Sequence, residues 1–215
     1  HAGADLFIVD IGLRTDLRPD SRLINRKIAY GSDDFSRGPA MSRANAVRAV
    51  EAGIEIAGRC ADQGYGLLVL AEMGIGNTTA GAAIAAVYGD LPPEKVVGRG
   101  TGIGDRRLQV KIDTVRRGIA LNKPAKNDAL DVLSKVGGYD IAGLAGVILG
   151  AAVRRLPTVV DGPVSTAAAL IAAGLQPRVR QYLIGSHLSV EPAHAKMLDL
   201  LKLTAILDLD MRLGE

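Results

Sequence analysis

Short apolar runs alternate along this chain with longer stretches rich in Ala and Gly. The runs Leu6 to Val9, Gly66 to Leu70, Thr158 to Val160, Tyr182 to Ile184 and Ala205 to Leu207 have strand length, and most stop at Asp, Glu, Gly or Ser. Between them, Met41 to Asp62, Asn77 to Tyr88, Asp105 to Leu121, Ala125 to Lys135, Ile141 to Arg155, Ser165 to Ala173 and Val190 to Leu201 read as helices. Strands that alternate with helices predict an α/β fold: a parallel sheet flanked by helices in a Rossmann-like three-layer arrangement. In such sheets ligands sit beyond the carboxyl ends of the strands, so the segments just after each strand are the places to look for chemistry.

Two of those segments resemble each other. Asn77-Thr-Thr-Ala-Gly-Ala-Ala-Ile-Ala-Ala86 and Val164-Ser-Thr-Ala-Ala-Ala-Leu-Ile-Ala-Ala173 each follow a strand, open with residues suited to an N-cap, and continue in small residues that allow close packing. They are either two ordinary crossover helices or two helix N-termini aimed at one cleft.

Composition narrows the class. With 215 residues, 48% hydrophobic and 23% charged, the chain can bury a sizeable core as one domain. Lys and Arg number 26 against 23 Asp and Glu, and they are scattered, so the net charge of +3 suits a small anionic ligand better than a nucleic acid. Five Tyr, two Phe and no Trp leave few stacking platforms for single-stranded nucleic acid or RNA. Cys60 is the only cysteine, which points to a reducing, cytoplasmic compartment without disulfides. The apolar stretch Ile141 to Val153 is too short to span a bilayer, so a soluble protein is expected.

Four constellations carry candidate chemistry. Glu72-Met-Gly-Ile-Gly-Asn-Thr-Thr79 lies between a strand and a helix; Gly74 and Gly76 permit positive dihedrals and close backbone approach, and Asn77 and Thr78 add donors at a helix start. No Gly-Lys-Ser/Thr follows, so it is not a nucleotide triphosphate loop. Gly98-Arg-Gly-Thr-Gly-Ile-Gly104, with Gly98, Gly100, Thr101 and Gly102, suits amides wrapped round an oxyanion but fits no dinucleotide fingerprint. Lys111 in the next helix is either a solvated surface lysine or a cation reaching back to a bound phosphate. Asp161-Gly-Pro-Val-Ser165 ends a strand; Asp161 could orient a sugar hydroxyl or satisfy turn amides. Ser186 and His187 follow another strand, and their adjacency suits donors to a phosphate or hydroxyl better than a catalytic pair. His1, His187 and His194 show no spacing that builds a metal site.

These segments, together with Val9-Asp-Ile-Gly12, Gly38-Pro-Ala-Met-Ser-Arg43 and Leu207-Asp-Leu-Asp-Met-Arg-Leu-Gly-Glu215, resemble the nicotinate-nucleotide:5,6-dimethylbenzimidazole phosphoribosyltransferase family along the whole chain. The resemblance implies transfer of phosphoribose from nicotinate mononucleotide to a benzimidazole, giving α-ribazole 5′-phosphate and nicotinate in cobalamin biosynthesis. It implies Glu215 as the base that takes the benzimidazole proton, and Glu72 as an auxiliary carboxylate. Gly74, Gly76, Asn77, Thr78, Gly98, Gly100, Thr101, Gly102, Lys111 and Ser186 would hold phosphate and ribose, with Asp161, Gly162 and Ser165 lining the same cleft. It further implies a homodimer with neither metal nor cofactor, and a single catalytic domain over residues 1–215 that lacks N-terminal and C-terminal segments of full-length members. A nucleotide-binding paralogue without turnover is the competing reading.

Overall fold

The computed structural model describes residues 3–211; Arg212 to Glu215, and with them the expected base Glu215, lie outside the described residues. The chain forms parallel sheets flanked by helices, as its alternating pattern predicts, but the described residues form two sheets rather than one.

The smaller sheet pairs β1 (Ile8–Asp10) in parallel with β2 (Leu23–Asn25), Ile8 opposite Leu23 and Asp10 opposite Asn25. The first apolar run therefore does not join the main sheet, and β2 is a strand the sequence did not announce. Three residues in a charged stretch carry no readable alternation. Backbone pairing joins them to β1 and continues past the strand, with the Arg26 amide donating to the Asp10 carbonyl at 2.8 Å, and beside it lies a buried ion pair, Lys27 Nζ 3.0 Å from Asp10 Oδ2. Lys27 also donates to the carbonyls of Leu13 and Thr15 at 2.8 Å, and Asp10 Oδ1 accepts from the amides of Gly12 and Leu13. Each charge is thus both paired and hydrogen-bonded, the condition under which burial is tolerated.

The larger sheet has the order β3 (Leu68–Val69), β4 (Thr158–Val160), β5 (Leu183–Ser189) and β6 (Ala205–Met211), all parallel. The order follows the chain without reversal. Leu70, Val160 and Leu183 face the core, while Val69 and Ile206 lie 65% and 68% exposed on the other side. Strands β5 and β6 run several residues further than expected, so Ser186 and His187 lie on β5 itself rather than in a loop after it.

Seven α-helices complete the described chain. α1 (Arg43–Asp62) begins where Ser42 Oγ accepts from the Asn45 amide, two residues later than the apolar pattern suggests. Then come α2 (Asn77–Gly89), α3 (Asp105–Asn122), α4 (Ala129–Val136), α5 (Tyr139–Val153), α6 (Gly162–Leu175) and α7 (Pro192–Leu201). Asp128 caps α4 through the Asp131 amide, and Pro192 at the first helical position starts α7 after Val190. α6 is buried from Val164 to Ala173 and packs against α2, α5 and α7, the behaviour of a helix apolar on every side. α1 and α5 cross at backbone contact: a Cβ at Gly53 would run into the Gly143 carbonyl, and one at Gly146 into that of Val50. Among the described residues, no helix is long and apolar enough to cross a membrane.

Candidate active site

The carboxyl ends of β3, β4 and β5 and the starts of α2, α3, α6 and α7 supply three groups of polar side chains. The first lies after β3. Gly76, at φ +86°, turns the chain into α2 with a conformation that favours glycine, and Asn77 is the first helical residue rather than the cap. The Asn77 side-chain Nδ2 donates both to Glu72 Oε2 and, at 2.9 Å, to Asp140 Oδ2. Asp140 sits in the first turn of α5, and a Cβ at Gly74 would come within 2.7 Å of its carboxylate. Two carboxylates from distant parts of the chain thus share one amide, with a glycine making the approach possible. Asp140 lies one residue before the stretch that reads as helix, and nothing around it in the sequence points to Asn77.

The second group joins α3 to the start of α2. Lys111 Nζ donates to Thr78 Oγ1 at 2.9 Å and to the Gly98 carbonyl at 3.1 Å. It is a cation turned inward rather than a solvated lysine. Burial pushes its pKa below the ordinary lysine value, and the negative charge of Glu191 pulls the other way. Gly100, at φ +52°, leaves only 3.2 Å between a hypothetical Cβ and Thr78 Oγ1, so it is the backbone that lines this cradle. The Gly100 amide donates to Glu191 Oε1 at 2.8 Å. Glu191 lies within the motif Ser186 to Pro192, but its type and position gave no sign that it would reach the glycine loop. Thr101 and Gly102 are exposed and form the turn into α3, outside these contacts.

The third group gathers on Asp161. This residue precedes α6 but makes no side-chain bond to the helix, which removes the turn-capping alternative. Its Oδ1 instead accepts from Ser186 Oγ at 2.8 Å and from His187 Nδ1 at 2.9 Å. A carboxylate only accepts, so His187 carries a proton on Nδ1 here. Gly162 turns the chain at φ +68°. Ser165 is fully buried, with its hydroxyl turned to the carbonyls of Asp161 and Gly162, so it shapes the turn rather than facing the cleft.

Behind this group lies His194, buried on α7. The Ser189 amide donates to its Nδ1 at 2.9 Å, which leaves Nε2 as the donor to Thr166 Oγ1 at 3.1 Å, and the Thr166 hydroxyl donates to the Gly162 carbonyl at 2.6 Å. Burial pushes the imidazole down to about 4. A neutral histidine with a fixed tautomer therefore ties β5 and α7 to the turn that presents Asp161. Among the described residues no three His, Cys, Asp or Glu side chains gather as a set of metal ligands.

The groups are continuous. Asn77 and Thr78 are neighbours that link the first to the second, and Glu191, whose amide donates to Ser189 Oγ, links the second to β5 and the third. Such an arrangement offers a cation, backbone amides and hydroxyls for an anion, and carboxylates for hydroxyl or N–H donors.

A family profile described as "Phosphoribosyltransferase" matches residues 1–215. Curated relatives named nicotinate-nucleotide–dimethylbenzimidazole phosphoribosyltransferase include that of Chloroflexus aggregans, 53% identical over 215 residues, and that of Geobacter sulfurreducens, 52% identical over 215. Both alignments take in all of this chain and 61% of the relative, so the chain spans about three fifths of their length. The crystal structure of CobT from Thermus thermophilus superposes with a TM-score of 0.92 at 42% identity, covering 97% of this chain and 62% of that one. The full-length match to the profile places this chain in the phosphoribosyltransferase family to which those relatives belong.

Proposed function

We propose that the protein transfers phosphoribose from nicotinate mononucleotide to 5,6-dimethylbenzimidazole or a related base, releasing nicotinate and forming α-ribazole 5′-phosphate for cobalamin biosynthesis. The observation that carries this reading is the cradle of Lys111, Thr78, Gly98 and Gly100, a half-buried cation among backbone groups that fits a phosphate monoester. Asp161 and Ser186 stand one strand away, where hydroxyls of a bound ribose find an acceptor and a donor. The names of the relatives supply the two substrates.

The chemistry needs little beyond alignment and one proton transfer. The unprotonated azole nitrogen attacks the anomeric carbon from the face opposite nicotinate, and the breaking C–N bond returns its electron pair to the pyridinium nitrogen. Configuration inverts from β to α. The azole N–H proton must leave as the new bond forms, because the neutral ring is a weak nucleophile. Glu215 is the proposed base, in the motif that starts at Met211, whose backbone pairs with Ser189 at the end of β5. General-base help of this kind contributes ~100- to 10,000-fold. Glu72 is the proposed second carboxylate, held in place by Asn77. No step calls for a metal, since nicotinate leaves from a cationic ring. A cytoplasmic homodimer is proposed with it.

The test incubates the full-length protein with nicotinate mononucleotide and a panel of benzimidazoles, purines and phenols, with products identified by mass. The expected product is a ribazole phosphate. Tight mononucleotide binding with no consumption under any acceptor would instead establish a binding protein.

A further inference from the structure

Glu191 belongs to the connection between β5 and α7, yet its side chain lies in the glycine loop that precedes α3. Its Oε1 accepts from the Gly100 amide at 2.8 Å, and a Cβ at Gly98 would overlap its carboxylate. As the residue before Pro192 it occupies the N-cap of α7, where a carboxylate ordinarily bonds to its own helix; here it makes no such bond. The side chain forgoes a favourable local position to put a negative charge on the Gly100 amide and within electrostatic reach of Lys111. Lys111 is aimed at the same place through Thr78 and the Gly98 carbonyl.

We propose that Glu191 is a built-in stand-in for the substrate phosphate: in the unliganded protein its carboxylate fills the cradle of Gly98, Gly100 and Lys111, and an incoming phosphate must displace it. The cradle offers one cation and the Gly100 amide, so a dianion and a carboxylate compete for the same donors and repel each other if both remain. The carboxylate keeps Lys111 compensated and the loop folded while the site is empty. On displacement the start of α7 offers it the capping position it had left. Placing such a competitor in the cradle lowers affinity for any anion in proportion to the charge displaced. It also makes release of a phosphorylated product a replacement rather than a simple loss, since the carboxylate returns as the product leaves. For the mononucleotide the inference rests on the proposed function; for phosphate itself it does not.

The test is calorimetric titration of the full-length protein and its Glu191→Gln variant with inorganic phosphate, nicotinate mononucleotide and nicotinate riboside. Gln keeps the shape and the acceptor for the Gly100 amide but removes the charge. Inorganic phosphate and the mononucleotide are expected to bind ~10-fold tighter to the variant, within the range usual for coupled sites, while the riboside, which lacks the phosphate, is unchanged. Equal or weaker phosphate binding by the variant overturns the proposal, as does a failure of phosphate to bind either protein. If the Gln protein does not fold, Glu191→Asp withdraws the charge by one methylene and is judged by the same criterion. Tighter phosphate binding with no mononucleotide binding would sink the proposed function and leave Glu191's role intact; normal turnover with unchanged phosphate affinity would do the reverse.

Discussion

Lys111 shows how much a single side chain's direction matters. It donates to Thr78 and Gly98, and under the proposed function it would compensate the substrate phosphate, where charge-assisted hydrogen bonds contribute about 1.5–3 kcal/mol. Lys111→Ala is expected to raise the mononucleotide KM by about tenfold or more with a much smaller change in kcat, whereas Glu215→Gln should lower kcat and leave nucleotide binding nearly intact. Steady-state kinetics with both substrates varied separates the two. Because burial lowers the Lys111 pKa, the cation is lost at a lower pH than for an ordinary lysine, and nucleotide affinity should weaken on the alkaline side. Lys111→Arg should move that weakening to higher pH. His194 makes the opposite kind of prediction, about stability. Its folded pKa of about 4 lies below the unfolded value near 6.5, so the unfolded chain binds the extra proton first. The His194 contribution is then fully present above pH 6.5 and is lost as pH falls toward 4, amounting to about 3 kcal/mol across that window. Urea unfolding at a series of pH values should show that slope, and His194→Gln, which keeps the donor to Thr166, should flatten it.

Between helices, the crossing of α1 and α5 is set by glycine. At Gly53 an added methyl meets the Gly143 carbonyl and comes within 2.8 Å of the Val147 amide, neither of which can move without shifting a helix. Gly58, on the same helix, has open space where its Cβ would go. Alanine is favoured over glycine in a helix interior by about 1 kcal/mol, so Gly58→Ala should stabilise by up to about that amount. Gly53→Ala receives the same propensity gain but overpacks the crossing, and a net loss of about 2 kcal/mol or more is expected. Denaturant midpoints of the two variants, measured side by side, test whether packing or propensity governs α1. The two Ala-rich helices noticed in the sequence, α2 and α6, pack against each other, and each begins beside polar side chains of the candidate site.

Across the molecule, the polar groups of the candidate site come from elements spread over most of the described chain. Residues 72–78, 98–111, 140, 161–166 and 186–194 meet through α2, α3, α5, α6, β5 and α7, and α2, α5, α6 and α7 share one hydrophobic core. A ligand that bridges these groups should therefore stabilise the fold as a whole rather than one loop. With nicotinate mononucleotide at a hundredfold excess over its Kd, the expected gain is about 2.7 kcal/mol, seen as a rise in the thermal midpoint of the whole unfolding transition. A rise confined to a minor early transition would mean that the cleft unfolds on its own. Sedimentation of the full-length protein at micromolar concentration, expected to show a dimer, tests the proposed assembly.

The sequence by itself determined the fold class, because alternation of apolar runs with Ala-rich amphipathic or wholly apolar stretches is a local property of the chain. It also offered the two glycine loops, Lys111, Asp161 and Ser186 as candidates, though glycine-rich turns are as often structural and the residues alone left both readings open. Tertiary structure alone decided the rest. The strand β2 exists through its backbone pairing with β1, with Lys27 buried against Asp10 beside it, a long-range contact no local pattern records. Whether Lys111 faces water or the cradle depends on where α2 lies, and whether Asp161 caps its helix or holds Ser186 and His187 depends on its register with β5. Asp140, Glu191 and His194 sit in segments whose sequence speaks only of helix and turn, and their roles arise from partners 63, 91 and 28 residues away. Local propensity reads the chain one turn at a time, and long-range contacts between polar side chains leave no mark at that range.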